Sequence, residues 1–214
     1  MAEDLVIVGA GGFGRETADV VEAVNQTAGP SPWRLLGLVD DALTPANARR
    51  LEARGLSHLG TIEDLLASDL RPRYVVGIGS PGVRRRVADR LDAAGFSAAV
   101  VVHPHATVGS EVSIGEGTVI CAGARVTTNI RLGRHVHLNP NVTVGHDTDI
   151  GDFVSLNPAC SVSGECTVGP EVLVGVGAVV LNQITVGAGA VVGAAACVVR
   201  DVEQGATVKG VPAR

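Results

Sequence analysis

The sequence predicts a small α/β unit followed by a long parallel β-solenoid, and two observations carry that reading. The first is a six-residue beat. Stepping by six from Val102, the chain places Val108, Ile114, Ile120, Val126, Leu132, Leu138, Val144 and Ile150. The series runs on through Leu156, Val162, Val168, Val174, Val180, Val186 and Val192 to Val198. Every position is aliphatic, with no slip in register. A solenoid keeps such a beat because each rung must put the same kind of residue at the same corner. The second observation is a strand, a glycine turn and a helix at the start. Leu5-Val6-Ile7-Val8 is closed by Gly9-Ala10-Gly11-Gly12-Phe13-Gly14, and an amphipathic stretch then runs to Gly29-Pro30.

Composition agrees with both. Of 214 residues 46% are hydrophobic but only 2% aromatic, which suits a core of thin aliphatic layers rather than one filled with large rings. The net charge of −5 argues against nucleic acid as a partner. No apolar run is long enough to span a membrane, and the start leads into a strand rather than a signal peptide. The four cysteines form no CxxC, so the expected setting is reducing and cytoplasmic.

The second strand, Leu35 to Val39, ends in Asp40-Asp41, where a nucleotide fold grips ribose or base. A third, Tyr74 to Ile78, ends in Gly79-Ser80-Pro81-Gly82, and a basic helix follows from about Val83 to Ala94. A fourth, Ala98 to Val102, feeds into the repeat. The boundary is therefore expected near His103-Pro104, dividing the chain into 1–102 and 103–214. The glycine turn lets a backbone approach phosphate, and the helix behind it favours the negative charge. The alternative is a turn used only for close helix–strand packing. A dinucleotide redox site fits less well, because the unit has room for one mononucleotide half. NAD titration separates these readings.

Three hexads make one triangular coil, so residues 18 apart stack, with coils about 4.8 Å apart. The residue four past each anchor is small, apolar or threonine and faces inward, which places Cys160 and Cys166 in the core. Cys121 and Cys197 have no basic neighbour to activate a thiol. No pair among His58, His103, His105, His135, His137 and His146 is spaced by 18, so no metal site is expected. His146 stands apart, in Val144-Gly145-His146-Asp147. Asp147 can hold the imidazole in one tautomer and support the proton it takes up. Thr128 lies one coil below and Gly164 one coil above, where a bare N–H suits the oxyanion of acyl transfer. The alternative is a surface histidine in a turn.

The beat, His146 and the Gly210-Val211-Pro212-Ala213-Arg214 ending resemble the left-handed β-helix acyltransferases. The start from Ile7 to Glu16, Val39-Asp40-Asp41 and Gly79-Ser80 extend the likeness to the whole chain. It resembles the sugar O/N-acetyltransferases of the PglD/NeuD type, which set a Rossmann-like domain before a left-handed parallel β-helix. The resemblance implies a homotrimer with active sites between subunits, acetyl-CoA as donor and a nucleotide-linked amino sugar as acceptor. It implies His146 as base, Asp147 as its support and Asn139 close by. Gly9, Gly11, Gly12, Phe13, Gly14, Asp40, Asp41, Gly79 and Ser80 are implied for the nucleotide sugar. Gly164, Ser155, Gly193 and Lys209 are implied for CoA. Some relatives carry histidine where this chain has Phe13 and Ser155, which bears on the identity of the sugar. O-acetylation of a sialic acid or another sugar hydroxyl is the alternative reaction. A non-catalytic nucleotide-sensing scaffold is the alternative of another class, distinguished by failure to bind acetyl-CoA.

Overall fold

A computed structural model of the chain describes residues 2–214. Contacts divide it into two compact units, the first running to Val101 and the second from Val102 to Arg214.

The first unit is built on β1 (Glu3–Val8), β2 (Trp33–Val39) and β3 (Arg73–Val76), all parallel in the order β2-β1-β3. Parallel strands need crossovers, and α1 (Gly12–Thr27) supplies the first. Between β2 and β3 lie α2 (Pro45–Glu52) and α3 (Ile62–Ala67), two short helices that hydrophobic periodicity alone does not reveal. Their caps do announce them. The Thr44 side chain accepts from the Asn47 N–H with Pro45 in the first turn, and Thr61 and Asp64 form a reciprocal capping box. Past β3, α4 (Pro81–Ala93) starts earlier than the sequence suggests because proline suits a first helical turn. The expected third strand stops at Val76. Gly77 must stay bare there, since a Cβ on it would lie 2.5 Å from the Gly14 Cα. The expected fourth strand shrinks to a single bridge between Tyr74 and Ala98, and Val101–Val102 belongs to the coils.

The second unit is a left-handed parallel β-helix of about six coils. Its strands, two or three residues each, stack into three parallel sheets of seven, six and five strands. Register is 18 throughout the body: Val126 pairs with Val144, Val144 with Val162, and Val162 with Val180. Near the end the step drops to 16, with Val192 opposite Val208. Two side chains per hexad fill the interior. The anchors from Ile120 to Val198 are buried, as are the residues four past them, including Val136, Val142, Val154, Cys160 and Cys166. Each buried Val or Leu contributes about 1.5–3 kcal/mol, so stability accrues coil by coil.

Corners obey two different rules. The third residue past each anchor, from Glu111 to Ala195, has positive φ, and most of these residues are not glycine. The glycines directly after anchors have another cause. A Cβ on Gly175 would lie 2.5 Å from the Ala194 nitrogen, and one on Gly151 would lie 2.7 Å from the Pro170 nitrogen. They are bare because the next coil passes so close.

Candidate active site

His146 stands at the corner after the strand Thr143–Val144. Gly145 precedes it, and a Cβ there would meet the Gly164 nitrogen at 2.5 Å, so the coil above closes down on this corner. The backbone is held from both sides. The Asp147 N–H donates to the Thr128 carbonyl at 3.1 Å, and the His146 carbonyl accepts from the Glu165 N–H at 2.8 Å. The side chains remain in solvent, 56% exposed for His146 and 50% for Asp147.

The imidazole Nδ1 lies 2.7 Å from Oδ2 of Asp147, a residue with φ of 57°. The other oxygen, Oδ1, accepts from Nδ2 of Asn129 at 3.0 Å. Asn129 is one coil below Asp147, at the same corner position. The hydrogen bond from His146, and after it the one from Asn129, hold the Asp147 carboxyl below the usual carboxylate range. With the carboxylate ionised, the network assigns the proton to Nδ1 and leaves a lone pair on Nε2. Over that nitrogen sits Gly164, where a Cβ would come within 2.6 Å of both Nε2 and Cε1. The Gly164 N–H has no protein acceptor among the described residues. An exposed base held in one tautomer beside an uncommitted amide donor can accept a proton and stabilise a nearby oxyanion.

The other expected site residues fall into separate groups. Asn139 follows the strand His137–Leu138, on a different sheet and corner from His146, and its Nδ2 donates to the Leu156 carbonyl at 2.9 Å. Gly193 and Lys209 share that corner: a Cβ on Gly193 would lie 3.1 Å from the Lys209 Cβ. Ser155 is buried in the same sheet, paired with His137. Within one chain, then, the residues expected around the base and CoA divide between two corners. His135 and Phe153 stack at the third, their rings parallel and 5.1 Å apart. Burial pushes the Cys160 thiol up to about 12 and raises that of Cys166 as well, so neither is a nucleophile.

In the first unit the glycine turn divides its labour. Gly9 has φ of 107°, a conformation that a side chain would strain. Gly14 must be bare because a Cβ would run into the Gly9 carbonyl, while Gly11 and Gly12 face open space. Phe13 is half-buried in the first turn of α1. Asp40 has a structural duty that sequence reasoning did not anticipate. Its Oδ2 accepts from the Ala10 N–H at 2.6 Å and its Oδ1 from the Ala42 N–H at 2.8 Å, tying the glycine turn to the end of β2. Asp41 accepts from the Ile62 N–H at 2.7 Å through Oδ1, at the start of α3. Ser80 leads into α4 without capping it by its side chain, and the Gly79 carbonyl accepts from buried Arg84 at 3.2 Å. Burial lowers the Arg84 guanidinium to about 9. Among the described residues no cluster of histidine, cysteine and carboxylate could hold a metal ion, and no helix is long and apolar enough to cross a membrane.

This geometry has parallels. Residues 4–91 match the PglD N-terminal domain family. The acetyltransferase domain of PglB from Neisseria gonorrhoeae FA1090 superposes with a TM-score of 0.85 at 32% identity, covering 99% of this chain and 98% of that one. The same domain has been solved in complex with acetyl coenzyme A. A variant of the perosamine N-acetyltransferase from Caulobacter crescentus, in complex with CoA and GDP-perosamine, also superposes at 0.85, with 28% identity over 99% of this chain and 95% of that one. The GDP-perosamine N-acetyltransferase of Escherichia coli O157:H7 is 32% identical over 142 residues, 66% of this chain and 61% of that protein. The chain thus matches under two thirds of that curated relative's length. A shared first unit, a shared β-helix and an end-to-end match at 32% identity place the chain in the family of hexapeptide-repeat sugar acetyltransferases of the PglD type.

Proposed function

We propose that the protein transfers the acetyl group of acetyl-CoA to the 4-amino group of a nucleotide-linked amino-dideoxy sugar, with His146 as general base. The carrying observation is the exposed imidazole, held through Nδ1 by Asp147 and faced on its Nε2 side by bare Gly164. Relatives with the same fold have been solved with acetyl coenzyme A or with CoA and GDP-perosamine, which supports this donor and this class of acceptor.

In this reading both substrates bind together. Nε2 of His146 takes a proton from the sugar amine as its nitrogen attacks the thioester carbonyl. The carbonyl oxygen becomes an oxyanion facing the Gly164 N–H. When the tetrahedral centre collapses, the C–S bond breaks and the imidazolium returns the proton to the departing thiolate. The products are an amide and free CoA. Asp147 remains ionised throughout, steadying the imidazolium. Holding two reactants in line supplies much of the rate. A homotrimer is part of the proposal, because it offers a way for the residues on the Asn139 corner of one subunit to join the His146 corner of another.

The test is thiol release from acetyl-CoA with matched pairs of UDP- and GDP-linked sugars carrying an amine or a hydroxyl at C4, with products identified by mass. Transfer to the amine, reduced about 10²–10⁴-fold in His146→Ala, is expected. Acetylation of the hydroxyl sugars alone, or near wild-type turnover in His146→Ala, overturns the reading.

A further inference from the structure

Beside the glycine turn, α1 and α2 form a cleft of about 430 Å³ lined by Gly12, Arg15, Glu16, Asp19, Arg50, Ala53 and Arg54. Its charges are unevenly matched. Arg54 is neutralised by Asp19 at 2.7 Å and Glu22 at 2.9 Å. Arg15 and Arg50 are not: neither has a carboxylate within ion-pair distance among the described residues, and Glu16 in the lining bonds to neither. Both instead donate to one neutral acceptor. Nη1 of Arg15 lies 2.9 Å from Oδ1 of Asn47, and Nη1 of Arg50 lies 3.0 Å from the same oxygen.

Two guanidinium groups converging on one amide oxygen repel each other, and an amide carries no charge to offset them. The arrangement is nonetheless fixed. Arg15 also donates to the Ala10 carbonyl at 3.0 Å, which anchors it to the glycine turn, and Asn47 donates its N–H to the Thr44 cap of α2. Only the Nη1 atoms of the pair are engaged, and Gly11 and Gly12, in the turn to which Arg15 is anchored, have open space where a side chain would stand. A doubly charged tetrahedral oxyanion fits such a two-pronged cation, because guanidinium forks match phosphate oxygens.

We propose that Arg15 and Arg50, bridged by Asn47, form a phosphate-binding clamp that takes the diphosphate of the nucleotide sugar. This rests on the acceptor being nucleotide-linked, as proposed above. It assigns the clamp to residues outside the glycine fingerprint, and it makes affinity for the nucleotide depend on its phosphates.

Calorimetric titration of the full chain with UDP, GDP and dTDP, with the matching nucleosides and with inorganic pyrophosphate tests the assignment. Arg50→Gln is the primary variant, since Arg15 also supports the turn. The nucleoside diphosphate that binds wild type should lose about tenfold or more in affinity, with a shallower salt dependence, while nucleoside binding stays as it was. Arg71→Gln removes the same charge from the loop that leads into β3, at the opposite end of the strands, and is expected to bind as wild type. Equal diphosphate affinity in wild type and Arg50→Gln overturns the clamp, as does an equal loss in Arg71→Gln. The two proposals fail separately. Arg50-dependent diphosphate binding without acetyl transfer keeps the clamp and sinks the reaction, whereas acetyl transfer with an unaltered acceptor KM in Arg50→Gln does the reverse.

Discussion

Gly164 and His146, one coil apart, are fitted to each other: a single added carbon on the glycine would enter the imidazole at its Nε2–Cε1 edge. The ring is therefore positioned from above by an absence of side chain and from the side by Asp147. Gly164→Ala should push the imidazole out of line and lower kcat about 10²-fold, since a displacement near 1 Å is enough for that. The coil itself should survive, so the thermal midpoint and the calorimetric affinity for CoA report whether the effect is local. A kcat equal to wild type would mean that residue 164 does not set the ring's place.

Asn129 is expected to act only through Asp147. Its amide holds the carboxylate oxygen that His146 does not use. Asn129→Ala should lower kcat up to about tenfold with KM little changed. In an Asp147→Ala background the same substitution should cost nothing further, which a double-mutant cycle measures.

The pH behaviour of Asp147 follows from the same pair of bonds. Its carboxyl is held low by His146 first and Asn129 second, so the ionised form, and the support it gives, is present above the ordinary carboxylate range and lost only as pH falls through the lowered value. Removing Asn129 takes away one donor, and the titration should move upward toward the ordinary range. Carbon-detected NMR of the Asp147 carboxyl in wild type and Asn129→Ala checks the direction.

The two kinds of corner glycine predict opposite sensitivities. Gly177 has φ of 65° and nothing within 4 Å of its absent Cβ, so Gly177→Ala should cost about 1 kcal/mol. Asparagine, which tolerates this conformation, should cost less. Gly175 has no such φ but faces the Ala194 nitrogen at 2.5 Å, so Gly175→Ala should cost about 3 kcal/mol or more by forcing adjacent coils apart. Denaturant midpoints for the three variants, taken side by side, decide the matter.

Cys160 gives a chemical check on the core. With its thiol pushed up to about 12, it stays protonated and sealed at pH 9, so iodoacetamide should leave it unmodified in the native protein and label it after denaturation.

The β-helix was legible because its rule is covalently periodic. One aliphatic residue every six positions, stacked at 18, fixes sheets, interior and the neighbours of His146 without knowledge of any distant contact. The glycine turn was legible for a related reason, since Gly9 and Gly14 each meet a requirement of a few adjacent atoms. Less visible were features set by contacts across the fold. Asp40 reads as a ligand-facing acid, yet it accepts from the Ala10 N–H 30 residues away. α2 and α3 are too short to show a hydrophobic face, and only their caps betray them. Asn129 could have been found, since it lies 18 before Asp147, but an asparagine at a corner draws no notice until the carboxylate above it is seen to need a second donor. The division of Asn139, Gly193 and Lys209 from His146 follows from the 18-residue stack once each is assigned to its corner.

The fold-back of residues 209–214 has its own consequence. A stack of parallel rungs exposes unpaired amides and an oily cross-section at its last layer, an invitation to unlimited end-to-end growth. Here the ending bends back: the Cys197 N–H donates to Gly210, the Ala213 N–H donates to Cys197, and the Ala213 methyl settles into the interior. Residues 209–214 thus occupy the ladder positions at Cys197 and cover part of the oily cross-section, so that this edge is not open to another strand.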